Sequence, residues 1–262
     1  MMFRNLPLAM ALGIILGAVA LGFLPLLWLG MEQGLPRFDS YLPRVVSFTL
    51  QQAFLSTLLS VVIALPVARA LARRQFHGRE VLLKIFSVPL ALPAIVAILG
   101  ILGVYGSSGL FGGGFSIYGL TGILLAHVFF NMPLAARLML TRLEAIPAEN
   151  FRLAAQLGFN NAQVFRFIEW PQLSSAITGI SSLIFLLCTA SFAVVLVLGG
   201  GPQATTLEVA IYQSLRLDFD PARASILALA QLATCGLLVF VAGQFATEVQ
   251  VFPRTLARTQ RW

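Results

Sequence analysis

The chain has 262 residues, of which 58% are hydrophobic and only 10% charged, with a mean hydropathy of +0.90. A water-soluble domain carries ~45–50% apolar and ~25% charged residues, so this composition excludes one and makes lipid the main solvent. The formal charge of +7 comes from basic residues spread over separate loops rather than gathered on one face with aromatics, which excludes a nucleic-acid binder and reads as membrane topology.

Six apolar stretches are long enough to cross ~30 Å of hydrocarbon. They are Leu6 to Leu29, Val45 to Leu71, Val81 to Val104, Leu120 to Leu140, Leu173 to Leu198 and Ala224 to Phe245. A backbone in lipid must satisfy its own hydrogen bonds, and no period-two barrel pattern is present, so the fold class is all-α, a polytopic helical membrane bundle forming one domain over residues 1–262. The first stretch is longer than a secretion-signal core, contains Pro25 and lacks a small-residue cleavage site, and is taken as a span.

Six crossings put both termini on one side. With the amino terminus inside, the cytoplasmic loops and span ends hold Arg4, Arg69, Arg73, Arg74, Arg79, Lys84, Arg137, Arg142, Arg152, Arg166, Arg254, Arg258 and Arg261. The outer side holds Arg37, Arg44, Arg216 and Arg223, so the positive-inside bias is thirteen to four. The outer segments, Gly30 to Arg44, Tyr105 to Gly119 and Gly199 to Arg223, are too short for a folded domain, and the glycine-rich run Ser107 to Gly114 reads as a mobile loop.

The longest inner connection, Thr141 to Pro171, reads as two short helices meeting at an angle. Pro147 suits a first helical position, Glu149 favours the positive end of the helix dipole, and Gly158 supplies a left-handed stop. Asn160 and Asn161 can cap a second helix with Val164, Phe165 and Ile168 on its apolar face, before Trp170-Pro171 breaks the chain into the fifth span. Two readings follow: the pair lies on the bilayer surface, or the small residues Ala154, Ala155 and Gly158 leave a flat face for another protein's groove.

The stretch Ala154-Ala155-Gln156-Leu157-Gly158, nine residues, then Ile168-Glu169-Trp170-Pro171 resembles the EAA loop of permease subunits of binding-protein-dependent ABC importers. In that family the loop docks into a cleft of the cytoplasmic ATPase. The resemblance thus implies that Phe151, Arg152, Ala154, Ala155, Leu157, Gly158 and Phe159 couple to ATPase subunits. It implies a type I, MetI-like permease architecture, a periplasmic substrate-binding protein as donor, and an inner-membrane location. Arg152 departs from the pattern, which has Glu there, so a salt bridge of that Glu does not carry over and an acidic partner surface is expected.

The runs Tyr118 to Asn131 and Leu198 to Glu208 are similar to those of family members that carry thiamine and thiamine pyrophosphate. Those permeases have two fused six-helix halves, and this chain resembles the amino-terminal half. It is expected to be a fragment or to pair with a second half. Relatives that carry ferric iron share much of the architecture and are the alternative.

The only lysine, Lys84, stands between Leu83 and Ile85, and no P-loop is present, so ATP hydrolysis is expected of a partner and no cofactor is expected. Within the spans, His127 and Asn131 lie one turn apart, and Ser182 and Ser191 belong to a serine- and threonine-rich fifth span. All four are candidates for the translocation path, with helix packing as the competing role. Outside, Glu208, Arg216, Asp218 and Asp220 are candidates for binding-protein docking, with solvation or salt bridging as the competing role.

Gly106-Ser107-Ser108-Gly109 has the form used by intramembrane serine proteases, with His127 in the next span, but nothing in the sequence brings the two together. Cys188 and Cys235 lie in apolar runs and read as buried free thiols. His77, beside Arg73, Arg74 and Arg79, reads as a solvated residue near anionic membrane lipid, and no metal-ligand spacing occurs.

Overall fold

The computed structural model describes residues 40–111 and 116–245, together with Gly17, Leu21, Gly22, Leu24 and Trp28. The rest of the expected first crossing lies outside the described residues, as do Arg4, Arg37, Arg254, Arg258, Arg261 and Gly112 to Gly114. Among the described residues every regular element is helical.

Among the described residues, four helices are long and apolar enough to cross a membrane, or five if a sharply bent pair is one span. Helix α1, Tyr41–Arg73, is 33 residues and about 50 Å long at 1.5 Å per residue, so it outreaches the hydrocarbon layer. Between Val45 and Leu71 at its ends, its buried stripe is made of small or weakly polar groups, Thr49, Ala53, Ser56, Thr57, Ser60, Ala64 and Ala68, with Gln52. Lipid tails are as apolar as leucine, so helices in a membrane gain little by hiding leucine from them. Small side chains let backbones approach instead, and this stripe seats the largest helix pair of the bundle.

The partner in that pair is α5, Leu120–Glu144, which turns Ala126, Ala135, Ala136, Met139 and Leu143 inward. Its start is tightly constrained: a Cβ on Gly122 would collide with the Ile117 carbonyl oxygen. Helix α8, Trp170–Thr189, closes the core with Leu173, Ala176, Ile180, Ile184 and Cys188 at helical spacing.

The expected third crossing is not one straight helix. Short helices α2, Arg79–Ile85, and α3, Val88–Ala91, precede α4, Ala94–Tyr105, across a bend of 108°. Pro93 causes the break: its ring excludes the α-conformation from Leu92, which is extended at φ −75°, ψ 133°. At 12 residues, α4 is about 18 Å long and does not by itself cross the hydrocarbon.

The expected fifth crossing is interrupted as well. Helix α8 ends at Thr189, Ser191 is extended, and α9, Phe192–Leu198, follows. The segment from Gly199 to Arg223, expected to be too short for a folded domain, contains α10, Leu207–Arg216, packed on α11, Pro221–Phe245, and on α1 through Val45, Leu207, Ala210 and Leu227. Cys188 is a buried free thiol and Cys235 a half-buried one.

Candidate functional site

Between α5 and α8 the chain makes an elbow. Its first arm is α6, Ala148–Gln156, which starts one residue later than expected because Pro147 is extended and precedes the helix. The arm ends where the sequence predicts. Gly158 takes φ +70°, its N–H donates to the Ala155 carbonyl at 3.1 Å, and the Phe159 N–H donates to the Ala154 carbonyl at 2.9 Å. This double bond pattern satisfies two carbonyls that the helix end would otherwise strand.

The second arm is α7, Asn161–Val164. Asn160 caps it with a reciprocal box, its side chain accepting from Gln163 N–H at 2.9 Å while the Gln163 side chain accepts from Asn160 N–H at 2.8 Å. Asn161, the other expected cap, has a different task described below.

Trp170-Pro171 does not break the chain. A π-helical turn, Phe165–Glu169, carries α7 straight into α8, with the Trp170 N–H reaching back to the Phe165 carbonyl. Pro171 has no N–H to donate and its ring would strike a carbonyl in a regular α-helix, and the wider turn relieves both conflicts. Asn161 to Thr189 is consequently one helical rod of 29 residues.

A buried carboxylate fixes that rod to α1. Glu169 is 1% exposed. Its Oε2 accepts from Arg69 Nε at 2.8 Å and its Oε1 from Arg73 Nε at 2.5 Å. Arg69 also donates to the Asn161 carbonyl and Arg73 to Asn161 Oδ1, each at 3.0 Å, and the Arg69 guanidinium lies 4.7 Å above the centre of the Phe165 ring. Beyond the elbow, Arg79 joins Glu144 at 2.6 Å and the Leu71 carbonyl at 3.0 Å, tying the start of α2 to the ends of α1 and α5. Charge-assisted bonds of this kind are about twice as strong as neutral ones, so the second arm and the start of α8 are held firmly to α1.

The expected coupling residues divide into two faces. Ala154 is 2% exposed and Phe151 packs on the core, so these two anchor the arm and do not belong to an outward face. The correction follows from helical period: positions 151 and 154 share one side, and 153 and 157 the other. Arg152, Ala155 and Gly158 are exposed and Phe159 half-exposed, and Leu153 and Leu157 stand out at 57% and 71% exposure. The outward face is thus an apolar pair beside an arginine rather than a flat alanine surface.

The expected path residues also divide. His127 and Asn131 are 2% and 6% exposed, inside this chain's own bundle. His127 Nδ1 shares a 2.9 Å hydrogen bond with Ser56 Oγ, and Asn131 Nδ2 donates to Cys188 Sγ at 3.3 Å. Nearby, Gln52 Nε2 donates to the Cys188 carbonyl at 2.9 Å, a carbonyl close to the interruption at Ala190 and Ser191. Ser182 lines a groove of about 370 Å³ between α1, α8 and α11, and Ser191 sits half-buried at the interruption. Ser108 is exposed in the turn after α4, and the hydrogen-bond partner of His127 is Ser56, so the pair is not a protease dyad.

The four residues expected to dock a binding protein do not converge. Glu208 starts α10 and Arg216 ends it, about 12 Å apart along the axis. Burial raises the Glu208 carboxyl above its ordinary range. Asp220 Oδ1 accepts from the Arg223 N–H at 2.9 Å at the start of α11, and Asp218 approaches Arg223, not Arg216, at 3.9 Å.

Comparisons with known proteins decide the family. No protein-family model matches the chain. The sulfate transport system permease protein CysT of Salmonella typhimurium is 31% identical over 208 residues, covering 76% of this chain and 75% of that protein. The chain belongs to the permease family of ABC importers. The permease is 49% identical over 247 residues to the thiamine transport system permease protein ThiP of Brucella abortus, and 51% identical over 220 residues to that of Escherichia coli. These matches cover 86% and 80% of the permease but 46% and 41% of the relatives, so the chain spans less than half the length of the thiamine permeases it matches.

Its fold is shared with a chain of a bacterial ABC transporter involved in alginate import, at a TM-score of 0.74 and 15% identity over 92% of the permease and 95% of that chain. A chain of the MetNI methionine ABC transporter matches at 0.63 and 18%, over 78% and 94%.

Sequence reasoning missed Glu169, Arg69, Arg73 and Asn161 as one cluster. The two arginines read as topology signals and Glu169 as one letter of a motif. The available signal was an acid followed by Trp-Pro and a long apolar run, together with two arginines four residues apart at the end of another span.

Proposed function

We propose that the permease forms one half of the translocation unit of an ATP-driven importer and that its cargo is thiamine or its phosphates. The observation that carries this reading is the elbow: its second arm is clamped to α1 through Glu169, and its first arm packs inward through Phe151 and Ala154 with Leu153 and Leu157 turned away from the bundle. An apolar pair on a rigid, protruding helix is what a groove on a partner receives. The high identity to thiamine permeases supports the cargo.

In this reading the chain is a single MetI-like domain with six crossings, the first between Leu6 and Leu29, and both termini lie in the cytoplasm of a bacterial inner membrane. The thirteen-to-four distribution of basic residues supports the orientation. Arg152, Leu153, Ala155, Leu157, Gly158 and Phe159 meet a cytoplasmic ATPase. Glu208, Arg216, Asp218 and Asp220 belong to the face that receives a periplasmic binding protein. A second permease half completes the path.

Closure of the ATPase pair moves the elbow, and the unbroken rod from Asn161 to Thr189 swings with it, alternating access to the path. Ser182 in its groove and Ser191 at the interruption are the path candidates. His127 and Asn131 fix the spacing of α1, α5 and α8. The test is uptake of radiolabelled thiamine by cells lacking their own system and expressing the permease with its second half, ATPase and binding protein. Saturable uptake that disappears in Leu153→Glu/Leu157→Glu is expected. Uptake unchanged in that variant refutes the coupling role, and absence of thiamine uptake beside transport of another solute refutes the cargo.

A further inference from the structure

The elbow end of α1 carries more positive charge than the clamp uses. Arg69, Arg73 and Arg74 edge a cleft of about 540 Å³, also lined by Leu65, Pro66 and Phe165. Glu169 is the only carboxylate paired with these arginines among the described residues, and the Arg74 side chain has no ion pair there, so the cleft keeps a net charge of about two. The side chains of Arg69 and Arg73 remain 31% and 28% exposed. Glu144, at the end of α5, is paired with Arg79.

The cleft is also graded in polarity. Leu65 and Pro66 belong to the apolar crossing of α1, next to Val62, which is 57% exposed. The guanidinium rim lies up to eight residues further on, about 12 Å along the axis. An apolar wall that passes into a cationic rim over that distance matches the upper acyl chain, glycerol and phosphate of a phospholipid at the bilayer edge. A soluble acidic segment would have no use for the apolar wall, and the outward face of the elbow, Leu153 and Leu157, lies on α6 rather than among the α1 and α7 residues that line the cleft.

We propose that this cleft binds an anionic phospholipid, with the lipid phosphate between Arg74 and the unused N–H groups of Arg69 and Arg73 and an acyl chain along Leu65 and Pro66. The lipid then touches the same two arginines that hold Glu169, and it stabilises the clamp from its open side. The proposal does not rest on the cargo or on ATPase docking.

The test uses the full chain purified in neutral detergent, with thermal unfolding followed as short-chain phosphatidylglycerol, phosphatidylcholine or glycerol phosphate is titrated. Phosphatidylglycerol is expected to raise the unfolding temperature at concentrations where the other two have no effect. Arg74→Gln is expected to raise the half-maximal phosphatidylglycerol concentration about fivefold, the effect of losing one arginine at an anionic bilayer surface. Arg142→Gln, outside the cleft, is expected to leave it unchanged. Because Arg74 takes no part in the Glu169 clamp, its variant should fold normally. An equal response to glycerol phosphate would identify a free-anion site and overturn the lipid assignment. Equal responses of Arg74→Gln and the parent, or equal effects of the two phospholipids, would overturn it too. So would an Arg74→Gln variant with unchanged lipid response that loses binding to a partner protein, which would assign the cleft to an acidic protein surface.

Discussion

Replacing Glu169 with glutamine removes one negative charge while keeping the side chain's shape, so its effect isolates the clamp. Glu169 is buried and accepts two hydrogen bonds from charged donors, at 2.8 and 2.5 Å. Bonds to charged groups contribute roughly 1.5–3 kcal/mol each. Arg69 and Arg73 are about a third exposed, so water recovers part of what they lose, and the lower end of that range applies. The expected loss is therefore about 3 kcal/mol. For a chain of this size each kcal/mol moves the unfolding midpoint by roughly 2–4 °C, so Glu169→Gln should lower it by about 6–12 °C in detergent. Glu149→Gln, an exposed acid in the first turn of α6, is the control and should stay within about 0.5 kcal/mol of the parent. A shift below about 2 °C for Glu169→Gln would refute the reasoning that the elbow is clamped by this carboxylate.

Gly158→Val meets no neighbouring atom, yet it forces a branched residue to φ +70°. It should cost about 1–2 kcal/mol of stability and turn the second arm, so transport should fall further than the amount of folded protein in the membrane, as uptake normalised to membrane content will test. Gly122→Ala places a methyl group against the Ile117 carbonyl oxygen, a backbone atom that can move only with the start of α5. It should destabilise by roughly 1–3 kcal/mol, measurable as a lowered midpoint, whereas the same change at Gly100, which has open space, should not. Burial raises the Glu208 carboxyl, so the folded state holds that proton more tightly than the unfolded one. Its favourable contribution is complete below the ordinary glutamate range and is lost as pH rises through the elevated folded value. Glu208→Gln should accordingly gain stability relative to the parent as pH increases, and a pH series of unfolding midpoints with a flat difference would contradict this.

Much of the fold was legible because the bilayer imposes it. A chain this apolar must be helical wherever it crosses, and the sequence limits of α1, α5 and α11 fall within a few residues of the observed helices. The left-handed stop at Gly158 and the cap at Asn160 were readable for a local reason: each depends on the conformational freedom or side-chain reach of one residue.

Proline was read less well, since its effect depends on its surroundings. Pro93 bends the chain by 108°, Pro171 is absorbed by a π-helical turn, and Pro66 and Pro133 remain inside helices. Hydropathy sees four similar prolines. The clamp was hidden for a different reason. Arg73 and Glu169 are 96 residues apart, and no local pattern links the end of one span to the start of another. Along α6 the helical period would have separated inward Phe151 and Ala154, both expected as coupling residues, from outward Leu153 and Leu157, but small size at position 154 was read as flatness when it was close packing.

The central claim is that the outward face of the elbow receives force from an ATPase. A photo-crosslinking amino acid at Leu157, 71% exposed on that face, tests it most directly in native membranes containing the co-expressed ATPase. A crosslink to the ATPase is predicted, with a yield that changes with nucleotide. Crosslinks to lipid alone, in the presence of an assembled and transport-active complex, would contradict the account.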